Sequence, residues 1–247
     1  MIDIVLEGLS KSFTSGLAGK RKVLQEFDLS VQKGEVVGFL GPNGAGKSTV
    51  IKIILDFISP DTGQVLIKGI TNHDYTVRRH IGYLSEHPCF YDRLTARELL
   101  GFVGRMAGLP ERVIRERSAS LLEELNLHNV DGKALRFYSK GMLQRIGFAM
   151  ALIHDPDILI LDEPLGGLDP IGRHLVIDLL SELKLQGKTI FFSSHLLNDI
   201  EKVCDQVAII DQGRLLFHGT IATLTRGEQD LEQAFLAKIS AEGNQYA

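Results

Sequence analysis

The sequence predicts an α/β fold whose mainly parallel sheet is covered by helices on both faces. Three observations predict it. Short, wholly apolar runs alternate with helically spaced segments. A glycine-rich loop joins one such run directly to a helix. A long stretch of helical spacing separates two strand-rich blocks. Runs such as Ile158-Leu159-Ile160-Leu161 show no polar alternation, as expected of parallel strands that crossover helices bury on both sides.

Up to about Gly69 the chain reads as strand-rich. Ile2 to Leu6, Val23 to Val31, Val36 to Leu40 and Gln64 to Ile67 are β-prone runs punctuated by Gly, Asp and Pro, residues that end strands. One helix is expected among them, from Gly46 to Phe57. From Thr95 to His154 the spacing is helical. Leu121, Leu122 and Leu125 share one face and Glu123 and Glu124 the other, which predicts a separate helical lobe. Strands return at Ile158 to Leu161, Thr189 to Ser193 and Val207 to Ile210. Between the first two, Ile171, Leu175, Leu179 and Leu183 recur every four residues as the apolar stripe of a helix. Asp211-Gln212-Gly213 separates Val207 to Ile210 from Arg214 to His218 as a hairpin turn would. No tandem repeat, low-complexity tract or Pro/Ser-rich linker interrupts the chain.

Composition excludes several classes of function. The 247 residues carry 27 basic and 31 acidic side chains, a formal charge of 27 − 31 = −4. That balance offers no basic field for general polyanion binding, so no nucleic-acid partner is expected. The Lys20-Arg21-Lys22 run has no interleaved aromatics and reads as a solvated loop. Apolar residues make up 44%, enough for a sizeable core. The longest apolar stretches, such as Ile146 to Ile153, fall far short of the roughly 20 residues needed to span a bilayer. The N-terminal Met1 to Glu7 has no basic region, uninterrupted apolar segment or cleavage site, which argues against export of the chain. Two distant cysteines, Cys89 and Cys204, read as reduced cytosolic thiols.

The glycine-rich loop is Gly41-Pro42-Asn43-Gly44-Ala45-Gly46-Lys47-Ser48-Thr49, which follows Val36 to Leu40 and leads into Val50-Ile51-Lys52-Ile53-Ile54 of the expected helix. The pattern G-x-x-x-x-G-K-[ST] allows successive backbone N–H groups to wrap phosphate oxygens with no Cβ in the way. Lys47 supplies a point charge for the outer phosphates, Ser48 an oxygen for Mg²⁺, and the following helix aims its N-terminal dipole at the same anion. Downstream, the buried strand 158–161 ends in Asp162-Glu163. A carboxylate is costly to bury unless it meets a cation. Asp162, at the carboxyl edge where ligands of open α/β sheets gather, is placed to share the Mg²⁺ with Ser48, and Glu163 to act as general base toward water. Together these features restrict the chemistry to Mg²⁺-dependent nucleotide hydrolysis or phosphoryl transfer.

Along nearly its whole length the chain resembles the ATP-binding cassette (ABC) family. Tyr138-Ser139-Lys140-Gly141-Met142-Leu143-Gln144-Arg145 stands where that family has its signature, most often Leu-Ser-Gly-Gly-Gln. Ser139 and Gly141 match; Tyr138, Lys140 and Met142 depart. Ser139 lies 162 − 139 = 23 residues before Asp162, as in the family. The resemblance implies that this segment contacts the outer phosphate of ATP held by a second subunit, with Lys140 either adding charge there or pointing to solvent. Gly166-Gly167-Leu168-Asp169 is similar to the D-loop at the dimer interface, with Gly166 replacing the more usual serine. His195, after Thr189-Ile190-Phe191-Phe192-Ser193-Ser194, resembles the switch histidine that bonds the γ-phosphate. Phe13 takes the place of the ring that stacks on adenine; core packing is the other reading of it. Ile81 to Glu86 resembles the Q-loop, with Glu86 where glutamine is usual and where a carboxylate can still ligate Mg²⁺.

The resemblance further implies a single domain over 1–247 with a P-loop NTPase (RecA-like) core, an N-terminal antiparallel β portion and an inserted helical subdomain. Core and β portion are expected over 1–90 and 156–220, the helical subdomain over 91–155 and a helical tail over 221–247. It implies ATP and Mg²⁺ as cofactors, a homodimer or paired cassette, and separately encoded permease subunits that hold the chain peripherally on the cytoplasmic face of the membrane. The Lys-Gly signature, Glu86 and the tail Asp230 to Leu236 are similar to cassettes of ABC-2-type exporters. The alternative is a soluble ABC ATPase of DNA repair or translation, but such proteins tend to carry two cassettes or long coiled-coil insertions, and neither is visible. A P-loop GTPase or kinase would leave residues 138–145 unexplained, and no guanine-reading Asn-Lys-x-Asp stretch occurs.

Overall fold

The computed structural model describes residues 1–14, 19–195, 197–225 and 230–243; within the 221–247 tail, 226–229 and 244–247 lie outside the described residues. Two sheets organise the chain. The first is antiparallel, ordered β2-β1-β4-β5, from β1 (Ile2–Thr14), β2 (Lys20–Gln32), β4 (Thr62–Ile67) and β5 (Ile70–Thr71). The second has six strands, ordered β10-β9-β3-β8-β7-β6, from β3 (Val36–Leu40), β6 (Ile81–Leu84), β7 (Ile158–Asp162), β8 (Thr189–Ser194), β9 (Gln206–Asp211) and β10 (Arg214–Thr220). Only β10 runs antiparallel to its neighbour.

The six-stranded sheet divides the core in two. Val37, Phe39, Ile158, Ile160 and Phe191 face the antiparallel sheet and α1 (Lys47–Ile54), while Val36, Leu40, Leu159, Leu161 and Phe192 face the remaining helices. The alternating residues of one strand are thus buried on both sides, which is why these runs carry no polar period. Phe39 bridges the layers, with ring centroids 5.9 Å from Phe27 and 5.1 Å from Phe191.

Residues 96–152 form α2 (Ala96–Met106), α3 (Glu111–Glu124) and α4 (Lys140–Leu152). Thr95 and Glu98 cap the start of α2 reciprocally, satisfying two orphan backbone donors. The chain then enters α5 (Pro170–Leu185) and α6 (Leu197–Val203), and ends in α7 (Ile221–Thr225) and α8 (Leu231–Gly243).

Two features differ from the sequence reading. Strand β6 was legible only as a loop motif, because it has four residues and includes Gly82. The glycine is there because helix α4 sits on it: a Cβ at Gly82 would lie 2.3 Å from the Ala151 carbonyl oxygen, and one at Gly147 would lie 2.5 Å from Leu84 Cδ1. Helix α6, too short for a period to show, lies against β3 in the same manner. A Cβ at Gly38 would stand 2.7 Å from Ile200 Cδ1 and 3.0 Å from Cys204 Sγ. Gly38→Ala should therefore overpack this seat and lower stability by about 1–3 kcal/mol; an unchanged denaturant midpoint would show that α6 can lift away freely.

Candidate functional site: a phosphate cradle with acidic and imidazole walls

The loop after β3 passes into α1 through Gly46, whose φ of 119° lies in the region that only glycine occupies without strain. A cleft of about 650 Å³ opens there. It is lined by Gly41, Pro42, Asn43, Gly44, Gly46, Lys47, Ser48 and Thr49, with Phe13 and Arg21 on one side and Glu86, Asp162, Glu163 and His195 on another. Ala45 is the exception within the loop. It is buried, and its backbone ties the loop to the β9–β10 turn through Gly213 N–H to Ala45 O at 2.9 Å.

Lys47 is 7% exposed, and its Nζ donates to the Gly41 carbonyl at 2.6 Å. Burial lowers its pKa below the ordinary lysine value, partly offset by the negative charge of Glu163, Asp162 and Glu86. A buried cation faced by three carboxylates marks a site where charges are meant to be compensated by something further. Asp162 closes β7 and is 6% exposed. Its Oδ1 accepts from Ser193 Oγ at 2.6 Å, and that serine Oγ in turn accepts from the Glu163 backbone N–H at 2.9 Å. Ser193, on the neighbouring β8, thereby fixes both acids. Glu163 sits at φ 49°, an uncommon conformation for a side-chain-bearing residue, and its 11%-exposed carboxylate meets His195 Nδ1 at 2.7 Å. The Gln144 amide donates to the Pro164 carbonyl at 3.1 Å and holds the far side of this turn from α4.

The other expected residues lie outside the cleft. Ser139 is exposed and caps α4, its Oγ accepting from the Met142 backbone N–H at 3.2 Å. Lys140 lies across Gly167, and a Cβ at Gly141 would lie 3.6 Å from Leu168 Cδ2, so the signature-like segment Ser139 to Met142 and the 166–169 loop form one surface. Asp169 caps α5 by accepting from the Gly172 N–H at 2.7 Å. Tyr138, which departs from the family residue, is buried and donates its hydroxyl to the Val130 carbonyl at 2.9 Å. Phe13 is 42% exposed and lines the cleft instead of packing in the core; it pairs across the sheet with Arg21.

Sequence reasoning read Arg21 as part of a solvated loop, whereas it lies on β2 and lines the cleft, and it passed over Ser193, Gln144, Leu197 and Phe235. The last two line the cleft from α6 and α8. A polar residue on a buried strand or helix face, as Ser193 and Gln144 are, was the available signal for two of them.

The general ABC transporter family model matches residues 24–166. The chain belongs to the ABC transporter family. It is 43% identical over 225 residues to an uncharacterized ABC transporter ATP-binding protein of Nostoc, covering 90% of this chain and 67% of that protein. It is 37% identical to the Nod factor export ATP-binding protein I of Ralstonia nicotianae over 87% of this chain and 66% of that one. A solved ATP-binding subunit of an ABC transporter superposes with a TM-score of 0.88 at 32% identity, covering 96% of this chain and 99% of the other. Within the ABC family the chain is an ATP-binding, ATP-hydrolysing transporter subunit, and a repair or translation role is not favoured.

Proposed function

We propose that this ABC subunit binds Mg·ATP between its own cradle and the Ser139 to Met142 segment of a second cassette, and that hydrolysis there drives substrate export through separate membrane subunits. One observation carries the reading: a single cleft unites Gly41 to Gly44 and Gly46 to Thr49 with Asp162, Glu163 and His195, while Ser139, Lys140, Gly141, Met142 and Asp169 lie outside it. A cassette built in this way has half of each phosphate site to offer a partner.

The loop amides of 41–46 and Lys47 would hold the β- and γ-phosphates, and Phe13, with its exposed ring face, would support the base. Glu163 would orient the attacking water and accept its proton, and His195, held on Glu163 Oε2, would face the γ-phosphate. The hard oxygens of Ser48, Asp162 and Glu86, all on the cleft wall, suit Mg²⁺. Among the described residues no three His, Cys, Asp or Glu side chains are spaced to hold a metal alone, as expected for an ion bound partly through nucleotide phosphates. When bound, that ion would neutralise charge developing on the phosphates.

Among the described residues no helix is long and apolar enough to cross a membrane, so the reading assigns the membrane path to a permease that holds this chain on the cytoplasmic face. Support for export comes from the Nod factor export relative together with the Lys140-Gly141 signature and Glu86. The chain, tagged and expressed with its neighbouring reading frames, should retain a protein with about six apolar segments of roughly 20 residues. Quantitative recovery of the chain from the soluble fraction without any such partner would remove the transporter assembly proposed here.

A further inference from the structure

Helix α6 begins two residues after His195 and carries a buried acid in its first turn. Asp199 is 3% exposed, among the apolar contacts that Ile200 and Val203 make with the core. Its nearest cations are Arg173 Nε, 3.7 Å from Oδ2, and the exposed Lys202 Nζ, 4.0 Å from Oδ1. Among the described residues neither Asp199 Oδ2 nor Arg173 Nε has a hydrogen-bond partner. Burying a carboxylate this incompletely paired is costly, and an apolar side chain of similar size would serve packing better. Its presence calls for a role other than stability.

Where the partner stands gives that role. Arg173 closes the first turn of α5, its N–H donating to the Asp169 carbonyl at 2.9 Å. Arg173 lies four residues after Asp169, and Asp199 four residues after His195. The pair therefore joins the first turns of two helices, one leading from the 166–169 loop beside Ser139 to Met142, the other from the imidazole that meets Glu163.

We propose that the Arg173–Asp199 ion pair is a positioning device that sets His195 against Glu163 according to the position of the 166–169 loop. The inference rests on the hydrolytic site proposed above. It makes the pair a link from the surface offered to a second cassette to the hydrolytic end of the cleft, with the 3.7 Å separation the loose form of a contact that closes when that surface is engaged. Neither residue lines the cleft; the pair acts by fixing the first turn of α6 against that of α5.

The test is turnover and ATP affinity of Asp199→Asn, which removes the charge at nearly constant shape. We expect kcat to fall on the order of tenfold, ATP affinity to stay within about twofold, and Asp199→Glu to restore most of the rate. The double variant Arg173→Gln/Asp199→Asn should turn over no more slowly than the slower single variant, because a pair acting as a unit can be broken only once. It leaves no unpaired buried charge, so it carries the same readouts if the single variant does not fold. Unchanged kcat, or an affinity loss that accounts for the whole fall in kcat/KM, would overturn the proposal. Wild-type protein that binds no ATP would instead remove the site on which the proposal stands.

Discussion

Glu163→Gln should bind ATP as the wild type does, lose turnover by about 10²–10⁴-fold, and accumulate as an ATP-bound dimer. Glutamine keeps the length of the side chain and tolerates the φ of 49° as well as glutamate does. It keeps an acceptor for the His195 contact at the position now 2.7 Å from Nδ1. What it loses is the capacity to take a proton from water. Binding should be unaffected because the cradle, Lys47 and Asp162 are untouched, and the closure that hydrolysis would relieve in the proposed cycle should persist. Equilibrium nucleotide binding, phosphate release and sedimentation of one preparation check all three outcomes. Undiminished phosphate release would take the general-base role away from Glu163.

Lys47→Ala acts at the opposite step. Its buried ammonium feels the negative charge of Glu163, Asp162 and Glu86, and it donates to the Gly41 carbonyl. Without it the cleft keeps three acids and loses the charge that would meet the triphosphate. At about 1.5–3 kcal/mol for a hydrogen bond to a charged group, affinity should weaken about ten- to a hundredfold. Titration calorimetry with ATP reads this directly, and wild-type affinity would mean that the cradle does not hold phosphate. The two variants separate binding from chemistry within one cleft.

Strand β3 was legible in the sequence to the residue, Val36 to Leu40, because both its faces are buried and turn-forming residues bound it. The candidate cradle and Asp162-Glu163 stand out in the sequence for a related reason: each is carried by consecutive residues. The contacts that assemble the site are not local. Glu163 meets His195 across 32 residues of sequence, and Ser193 meets Asp162 across 31. Nothing in either short segment announces the other; the parallel pairing of β7 with β8, Asp162 opposite Ser193, creates both contacts. Helix α6 was invisible because seven residues show no period and because its seat on β3 depends on the missing side chain of Gly38.

The close seat of α4 on β6 has a mechanical corollary. With the Leu84 side chain pressed onto Gly147 and Gly82 against the Ala151 carbonyl, the joint is tightly packed on both sides, so a tilt of the helix is passed to the strand with little play. The ends of that lever are Ser139 and Glu86, one facing outward and the other on the cleft wall. A covalent tether that immobilises the Ser139 end should accordingly freeze the Glu86 end as well, without touching it.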